Sequence, residues 1–535
     1  MYLLHDLLTE QARVAPERVA VSYGQQSLTY GELERQSSAL AATLGAQGVR
    51  RGDRVGIMLE KSAEAIVSIF GILKVGAAYM PLDPMLPPAR LASMMERCEV
   101  RCLVCSTKEI AKFRQSDQEL RISSIVLVEP SVTTRDDSPN GASCVSWRDA
   151  VSPSSAHQPV SISDQSPAYI LHTSGSTGVP KAVVISHLNA LSFVKMAKKF
   201  FAINSSDRVG SVASLSFDLS VFDIFCTVMA GATIVLIPAS LTAFPAKLSE
   251  LVDRERISVW NSVASVLSMM ADRGKLDRFG FESLRLVHFS GDIMPAKSLR
   301  TLKVHMRRAI FYNIYGQTEA NSSLYFAIGD IPDNDAWRIP IGIPFPNFDV
   351  FALDSEGRVV DKPGQEGELY VCSATVALGY WRNEEATRQR FVSDPRDASW
   401  RTCVYKTGDL ARLDEGGNFV FVGRADTMVK VRGYRVELSE IELVLCGNPN
   451  ISEAVAIVVP DGGTGSRIAA YVSPVSGTQV GEQELKSHCA RVLPPYMVPD
   501  EIQIVSEFPR TATGKADRKA ITIAHVNSGF AAHQD

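Results

Sequence analysis

Between positions 173 and 181 the chain reads Thr-Ser-Gly-Ser-Thr-Gly-Val-Pro-Lys, with four hydroxyl residues, two glycines and one cation in nine positions. Gly175 and Gly178 admit backbone angles closed to other residues, so successive N–H groups can converge on one anion. Thr173, Ser174, Ser176 and Thr177 add hydroxyl donors, and Lys181 adds positive charge. Such a set suits the holding of phosphate; the plain alternative is a serine- and glycine-rich turn. The spacing G-x-x-G-x-P-K, followed by Ala182, differs from the G-x-x-x-x-G-K-[ST] loop that opens directly onto a helix. Residues 169–171 read as an apolar strand leading in, and residues 182–185 as extended chain leading out. A helix then begins near Ser186, with Leu188, Leu191, Val194 and Ala197 on one face.

The elements that must position this loop alternate in type. Residues 55–59 read as strand, 63–75 as helix and 125–128 as strand, the order of a layered α/β protein. A length of 535 residues points to more than one hydrophobic core. A boundary is expected near Asp426, beyond the glycines at 416, 417 and 423. It divides a large first domain, 1–425, from a small α+β domain, 426–535, with strands at 454–459, 468–472 and 502–505 and a helix at 482–492. Residues 133–167, rich in Ser, Pro, Asp and Gly, read as surface chain.

Hydrophobic residues at 45% and charged residues at 21% are ordinary for a soluble globular chain. A net charge of −4 gives no reason to expect nucleic acid as a partner. No apolar run reaches bilayer length, and Asp6 and Glu10 interrupt what would be the apolar centre of a signal peptide. A soluble, cytoplasmic protein with no membrane partner is therefore expected, and Leu3, Leu4, Leu7 and Leu8 mark one helix face. Nine scattered cysteines, an odd number, argue against a disulfide framework. Cys102 and Cys105 lie in the apolar run Val100-Arg-Cys-Leu-Val-Cys105, which reads as a buried strand rather than a redox or zinc pair.

The 173–181 loop resembles the signature of the adenylate-forming superfamily, which includes acyl-CoA synthetases, luciferases and the adenylation domains of nonribosomal peptide synthetases. The resemblance continues in the family's order through nearly the whole chain. Before the loop stand Leu28-Thr-Tyr-Gly-Glu-Leu33 and Leu73-Lys-Val-Gly-Ala-Ala-Tyr-Met-Pro-Leu-Asp83. After it come Phe217-Asp-Leu-Ser220, Asn313-Ile-Tyr-Gly-Gln-Thr-Glu319, Gly367-Glu-Leu369 and Tyr405-Lys-Thr-Gly-Asp-Leu410. The end carries Gly423-Arg-Ala-Asp426, Val429-Lys-Val-Arg-Gly-Tyr-Arg-Val-Glu437, Leu493-Pro-Pro-Tyr-Met-Val-Pro499 and Thr513-Gly-Lys-Ala-Asp-Arg518. One such motif is weak; ten in order are specific. They imply a stand-alone amino acid adenylation enzyme. Its fold would be a large N-terminal domain of layered α/β subdomains and a small mobile α+β C-terminal domain, and its cofactors ATP and Mg²⁺.

The reaction this resemblance implies is attack of an amino acid carboxylate on the α-phosphate of ATP, giving aminoacyl-AMP and pyrophosphate. Two anions repel, so catalysis must rest on positioning and positive charge. By resemblance, Thr173, Ser174, Gly175, Ser176, Thr177, Gly178 and Lys181 hold the outer phosphates. Tyr315 stacks on adenine, with Asn313 at its edge and Ile314 beside it. Thr318 reaches the α-phosphate, Glu319 holds Mg²⁺, Asp409 accepts the ribose hydroxyls, and Phe421 and Arg424 complete the nucleotide site. Lys515 is the expected catalytic lysine, acting with Thr318 and Glu319 where carboxylate meets phosphorus. Asp426 is the expected hinge on which the small domain turns before thioester formation, with the segment around Gly433 lining the thiol tunnel.

Asp218 matches the carboxylate that pairs with the substrate α-ammonium in amino-acid-activating members. Burying that ammonium without a counter-charge would be costly. A helix-capping aspartate is the local alternative. The other pocket positions are Leu219, Phe222, Asn261, His288, Ser290, Ile314, Ser322 and Ser323. Leu219, Phe222 and Ile314 would form an apolar wall. Asn261, His288 and the serines offer polar groups that a large aliphatic side chain would leave unpaired. A compact or polar amino acid is expected, L-proline first, with cysteine, serine, threonine and alanine open. Seventeen residues follow Arg518 and no condensation domain precedes the motifs. The expected acceptor is therefore the phosphopantetheine thiol of a separate carrier protein, in natural-product biosynthesis. Ala182 and Gln317 stand where the family usually has Gly and Pro, and neither change removes a charged group. A carboxylic acid–CoA ligase and an inactive ATP-binding regulator are the rival readings; retention of Lys515, Glu319 and Asp409 opposes the second.

Overall fold

Ser62 accepts a hydrogen bond from the Ala65 N–H and so starts a helix, Ala63–Lys74, in which Ile66, Val67, Ile69, Phe70, Ile72 and Leu73 are all buried. A helix apolar on every side must be covered on every side. It packs between strands of two large sheets and anchors the main core. Gly71 brings it so close to the neighbouring helix Tyr30–Ala46 that a methyl group there would press into Leu40. That neighbour begins with a capping box between Thr29 and Glu32, which gives the first family motif a purely structural job.

The computed structural model describes every residue except 1, 115–119, 129–140, 153–159, 176–179, 398, 400, 401, 427, 462–465, 476–477, 511–515 and 532–535. Two compact units are present. The first comprises Met1–Pro84, Ala92–His172 and Ala182–Gly423; the second comprises Met85–Leu91, Thr173–Lys181 and Arg424–Asp535.

In the first unit, one nine-stranded sheet runs Ile343–Pro344, Asn321–Ala327, Ile310–Gln317, Leu286–Ser290, Val259–Val263, Arg208–Ser211, Thr233–Leu236, Val19–Tyr23, Gln26–Thr29. Its interior pairs are parallel and its edges antiparallel. An eight-stranded sheet is centred on Pro167–Thr173, Ala78–Pro81, Arg54–Met58 and Cys102–Cys105. A smaller antiparallel sheet contains Asp349–Leu353, Glu366–Cys372 and Cys403–Leu413. In the second unit, Ile451–Pro460, Ser466–Pro474 and Glu501–Ile504 form a sheet, and Leu438–Cys446 and Glu482–Ala490 add their apolar faces to its core.

The expected strands and helices fall within a few residues of these bounds, and mixed α/β architecture with a large and a small part is as read. Of the 133–167 stretch, 133–140 and 153–159 lie outside the described residues; most of 141–150 is exposed or half-buried, as read, but carries regular structure. Ser143–Ser146 is an edge strand of the eight-stranded sheet and Trp147–Ala150 a short helix, capped by Ser146. The apolar residues Ala142, Cys144, Val145 and Trp147 there were hidden between serine- and proline-rich flanks. Leu4, Leu7 and Leu8 are buried on the Leu4–Val14 helix, and the Leu4 N–H donates to Nδ1 of buried His187 at 3.0 Å. All nine cysteines are free, and Cys102 and Cys105 are buried on one strand. Among the described residues no helix is long and apolar enough to cross a membrane.

Candidate active site

The Asn313–Glu319 motif becomes the end of a strand, Ile310–Gln317, and the turn from which Asn321–Ala327 returns antiparallel. The register slips between Tyr315 and Gly316, and Gly316 lies directly under the Asn321 carbonyl, where any side chain would collide. The turn presents Thr318 half-buried and Glu319 fully buried. Contacts from the 375–380 segment help to hold it. The Tyr380 hydroxyl donates to Glu319 Oε1 at 2.8 Å, the Ala377 N–H to the Glu319 carbonyl at 2.8 Å, and Thr375 Oγ1 to the Ala320 carbonyl at 2.7 Å. Asn189, in the first turn of the His187–Phe200 helix, donates Nδ2 to the carbonyls of Ala374 and Val376 at 2.9 and 2.8 Å. A helix cap thus steadies the segment that steadies Glu319. Sequence reading missed Tyr380, Thr375 and Asn189 as supports; only the Ser186-x-x-Asn189 capping pattern hinted at the last.

Behind the turn, Tyr315, Gln317 and Asp409 are 5%, 5% and 1% exposed. The Tyr315 hydroxyl donates to Asp409 Oδ2 at 2.6 Å, and Gln317 Nε2 donates to the same oxygen at 2.6 Å. Asp409 itself is set by its N–H donating to Thr407 Oγ1 at 2.9 Å. Burial first, and the charge of Asp409 second, hold the Tyr315 phenol well above its usual range, so it stays a donor. Phe421 packs on the apolar cluster that includes Tyr315 and Leu324. Asn313 turns its Nδ2 to the Pro340 carbonyl at 2.8 Å, and Ile314 is buried beside it on the strand.

The amino acid pocket residues assemble in part. Asp218 precedes the Leu219–Val221 helix, yet its side chain makes no capping hydrogen bond, so the capping alternative is not what the structure adopts. Strand register sets Asn261 beside His288 and Val263 beside Ser290. Phe222 meets the His288 ring edge-on at 4.5 Å, and Phe201 stacks on the other side at 5.0 Å. Burial pulls His288 down to about 3, so the imidazole is neutral, and its Nε2 makes no hydrogen bond among the described residues. Asn261 donates Nδ2 to Asp223 Oδ1 at 2.8 Å and to the Leu219 carbonyl at 3.2 Å, which leaves its carbonyl as the group for a ligand. Ser322 lies across from Gly316 on the return strand. Ser323 is fully buried and turns its hydroxyl to the Asn321 carbonyl at 3.2 Å rather than toward Phe222 and His288.

Asp223 and Lys61 were not singled out from sequence. Asp223 is fully buried on a π-helical turn, Phe222–Cys226, and Lys61 donates to the carbonyls of Ser211 and Val212. Burial raises the Asp223 carboxyl and lowers the Lys61 ammonium, while each charge opposes the other's shift. Asp223→Ala removes the acceptor of the buried Asn261 amide and a charge that favours the Lys61 ammonium. It is expected to cost about 1–3 kcal/mol of stability, read as a lower urea midpoint, with Asp223→Asn losing less.

In the second unit, Thr173 Oγ1 is buried and makes no hydrogen bond among the described residues, and Ser174 donates to the Arg435 carbonyl at 2.8 Å. Lys181 is half-buried; Glu437 is raised chiefly by its own burial, with Arg435 and Lys181 opposing. Gly175 is also described, whereas Ser176, Thr177, Gly178 and Lys515 lie outside the described residues. Arg424 grips Asp426 in a two-pronged ion pair, Nε to Oδ1 at 2.6 Å and Nη2 to Oδ2 at 2.7 Å. In the first unit the buried Gln317 Oε1 lacks a donor that a nucleotide hydroxyl could supply, and in the second the buried Thr173 hydroxyl lacks an acceptor that a phosphate oxygen could supply, so the side chains of each suit a nucleotide.

Residues 8–381 match the profile of the AMP-binding enzyme family, and residues 440–515 that of the AMP-binding enzyme C-terminal domain. An L-proline–[L-prolyl-carrier protein] ligase of Pseudomonas fluorescens is 34% identical over 97% of this chain and 99% of its own. A ligase of the same name from Streptomyces coelicolor is 34% identical over 93% of this chain and 92% of its own. A solved nonribosomal peptide synthetase protein, containing adenylation and PCP domains and bound to a vinylsulfonamide inhibitor, aligns at TM-score 0.81 and 26% identity, over 97% of this chain and 84% of that one. Motif order, fold and these likenesses agree: the chain belongs to the AMP-binding enzyme family.

Proposed function

We propose that this enzyme uses ATP to activate a small α-amino acid, L-proline first, as aminoacyl-AMP and then loads it onto the phosphopantetheine thiol of a separate carrier protein. The observation that carries the reading is the place of Asp218, half-buried in the motif that leads into the compact pocket side of Phe222, Asn261 and His288. The two ligases named for L-proline and its carrier, similar over nearly their whole lengths, support the substrate and the acceptor.

In this scheme Asp218 pairs with the substrate ammonium and leaves the carboxylate pointing at the nucleotide. A carboxylate oxygen attacks the α-phosphorus, the bond to the bridging oxygen breaks, and pyrophosphate departs. Thr318 and the Lys515 ammonium balance the charge that gathers there, while Asp409 fixes the ribose and the Thr173–Lys181 loop the outer phosphates. Residues 1–425 bind both substrates, and residues 426–535, turning at Asp426, bring Lys515 in and then withdraw it. The carrier sulfur next attacks the acyl carbon and AMP leaves. Mg²⁺ would be held by Glu319 and phosphate oxygens, adding neutralising charge, and a hard cation needs no more than that from the protein. Among the described residues no group of three or more His, Cys, Asp or Glu competes for it. A cytoplasmic place of action accords with the free cysteines.

Pyrophosphate exchange over a panel of amino acids tests the proposal. The largest kcat/KM is expected with L-proline, and the carrier is expected to gain the aminoacyl mass. Exchange driven by fatty or aryl acids, with thioester forming on free CoA, would replace this reading with a CoA ligase. Absence of any aminoacyl-AMP in a single turnover would leave a non-catalytic nucleotide-binding protein.

A further inference from the structure

Gln317 stands where the resemblance leads one to expect proline, a residue without a side-chain donor. It is 5% exposed, and its Nε2 donates both to Asp409 Oδ2 at 2.6 Å and to the Tyr315 hydroxyl at 2.5 Å. Tyr315 donates to that same carboxylate oxygen at 2.6 Å. Two donors meeting on one oxygen fix the carboxylate's rotation, which one donor alone does not. The amide orientation follows from charge, since turned over it would set Oε1 against the carboxylate. So placed, Oε1 is buried and makes no hydrogen bond among the described residues. A buried acceptor left empty is costly, and a ribose hydroxyl is a donor of the kind it lacks.

We infer that Gln317 is a positioning residue for the nucleotide sugar: it orients Asp409 through Oδ2 and keeps Oε1 available to a hydroxyl of the bound ribose. The inference rests on the reading that Asp409 takes the ribose hydroxyls. It adds that this chain has strengthened sugar recognition by a residue that neither carries charge nor touches the reacting atoms. The substrate feature it selects is the presence of both ribose hydroxyls.

The test is pyrophosphate exchange by the full chain with ATP, 2′-deoxyATP and 3′-deoxyATP, for the wild type, Gln317→Met, Gln317→Glu and Asp409→Asn. Gln317→Met keeps the shape and removes the amide. Its KM for ATP is expected to rise about 10- to 100-fold, the worth of a hydrogen bond to a charged group, with amino acid KM and kcat within about twofold. Its preference for ATP over at least one deoxy analogue should shrink by a similar factor. Gln317→Glu can donate only when protonated, so its ATP KM should fall toward the wild-type value as pH is lowered, which general structural damage would not produce. An unchanged ribose preference in Gln317→Met, with Asp409→Asn losing that preference, would overturn the inference alone. Should Asp409→Asn keep the wild-type preference, the ribose reading itself fails. If Gln317→Met does not fold, the pH profile of Gln317→Glu decides: a flat profile overturns the inference, and recovery at low pH supports it.

Discussion

Replacing Lys515 with alanine is expected to lower amino-acid-dependent pyrophosphate exchange by about 100- to 1,000-fold, while transfer of supplied aminoacyl-AMP to the carrier thiol stays within a few-fold of normal. The size follows from removing one charged donor that acts where charge develops. The selectivity follows from the order of steps. In adenylation an anion approaches an anion, and only a cation at the meeting point eases it. In thioester formation the acyl carbon is already activated and AMP is the leaving group, so the same cation has little to do. Measuring both half-reactions on one preparation separates catalysis from folding: equal loss of the two would remove Lys515 from the adenylation step. Lys515 lies outside the described residues, so this prediction stands on the Thr513-Gly-Lys515 motif and the charge argument.

Asp218→Ala should be nearly as severe for the amino acid and almost silent for ATP. A substrate ammonium leaving water for a half-buried site without its counter-charge loses about 3–4 kcal/mol, which is about 100- to 1,000-fold in kcat/KM. No helix cap is lost in this change, since the Asp218 side chain does not cap its short helix. A large fall in the thermal midpoint with amino acid kcat/KM unchanged would assign Asp218 to the fold instead. A harmless Asp218→Ala together with turnover of an acid lacking an amine would favour the CoA ligase. Asp223→Ala, five positions on, should do the reverse: it strikes stability through Asn261 and the Lys61 charge, and reaches the pocket through Asn261.

Much of this was legible before any fold was known. The alternation of strand and helix and the Ala63–Lys74 helix are local patterns, set by side-chain periodicity and backbone hydrogen bonding within a few residues. The Asn313–Glu319 motif was legible through the resemblance alone; that it is a strand end with a register slip at Gly316 came from the structure. The hidden edge strand Ser143–Ser146 was not, since four residues between polar flanks carry too little periodicity to stand out.

By itself, then, the sequence determined the family, the order of elements, and the chemical character of the loop, of Asp218 and of Lys515, because each depends on residue type and short spacing. Tertiary structure alone decided which groups answer one another. It set Tyr315 and Gln317 on one oxygen of Asp409, more than ninety positions away. It placed Tyr380 on Glu319, paired Lys61 electrostatically with Asp223, and left Asn261 its carbonyl to offer. The hydrogen bonds among them join distant segments brought within about 3 Å by sheet register and helix packing. A hydrogen bond is a property of two atoms' positions, and a linear list of residues holds the types without the distances.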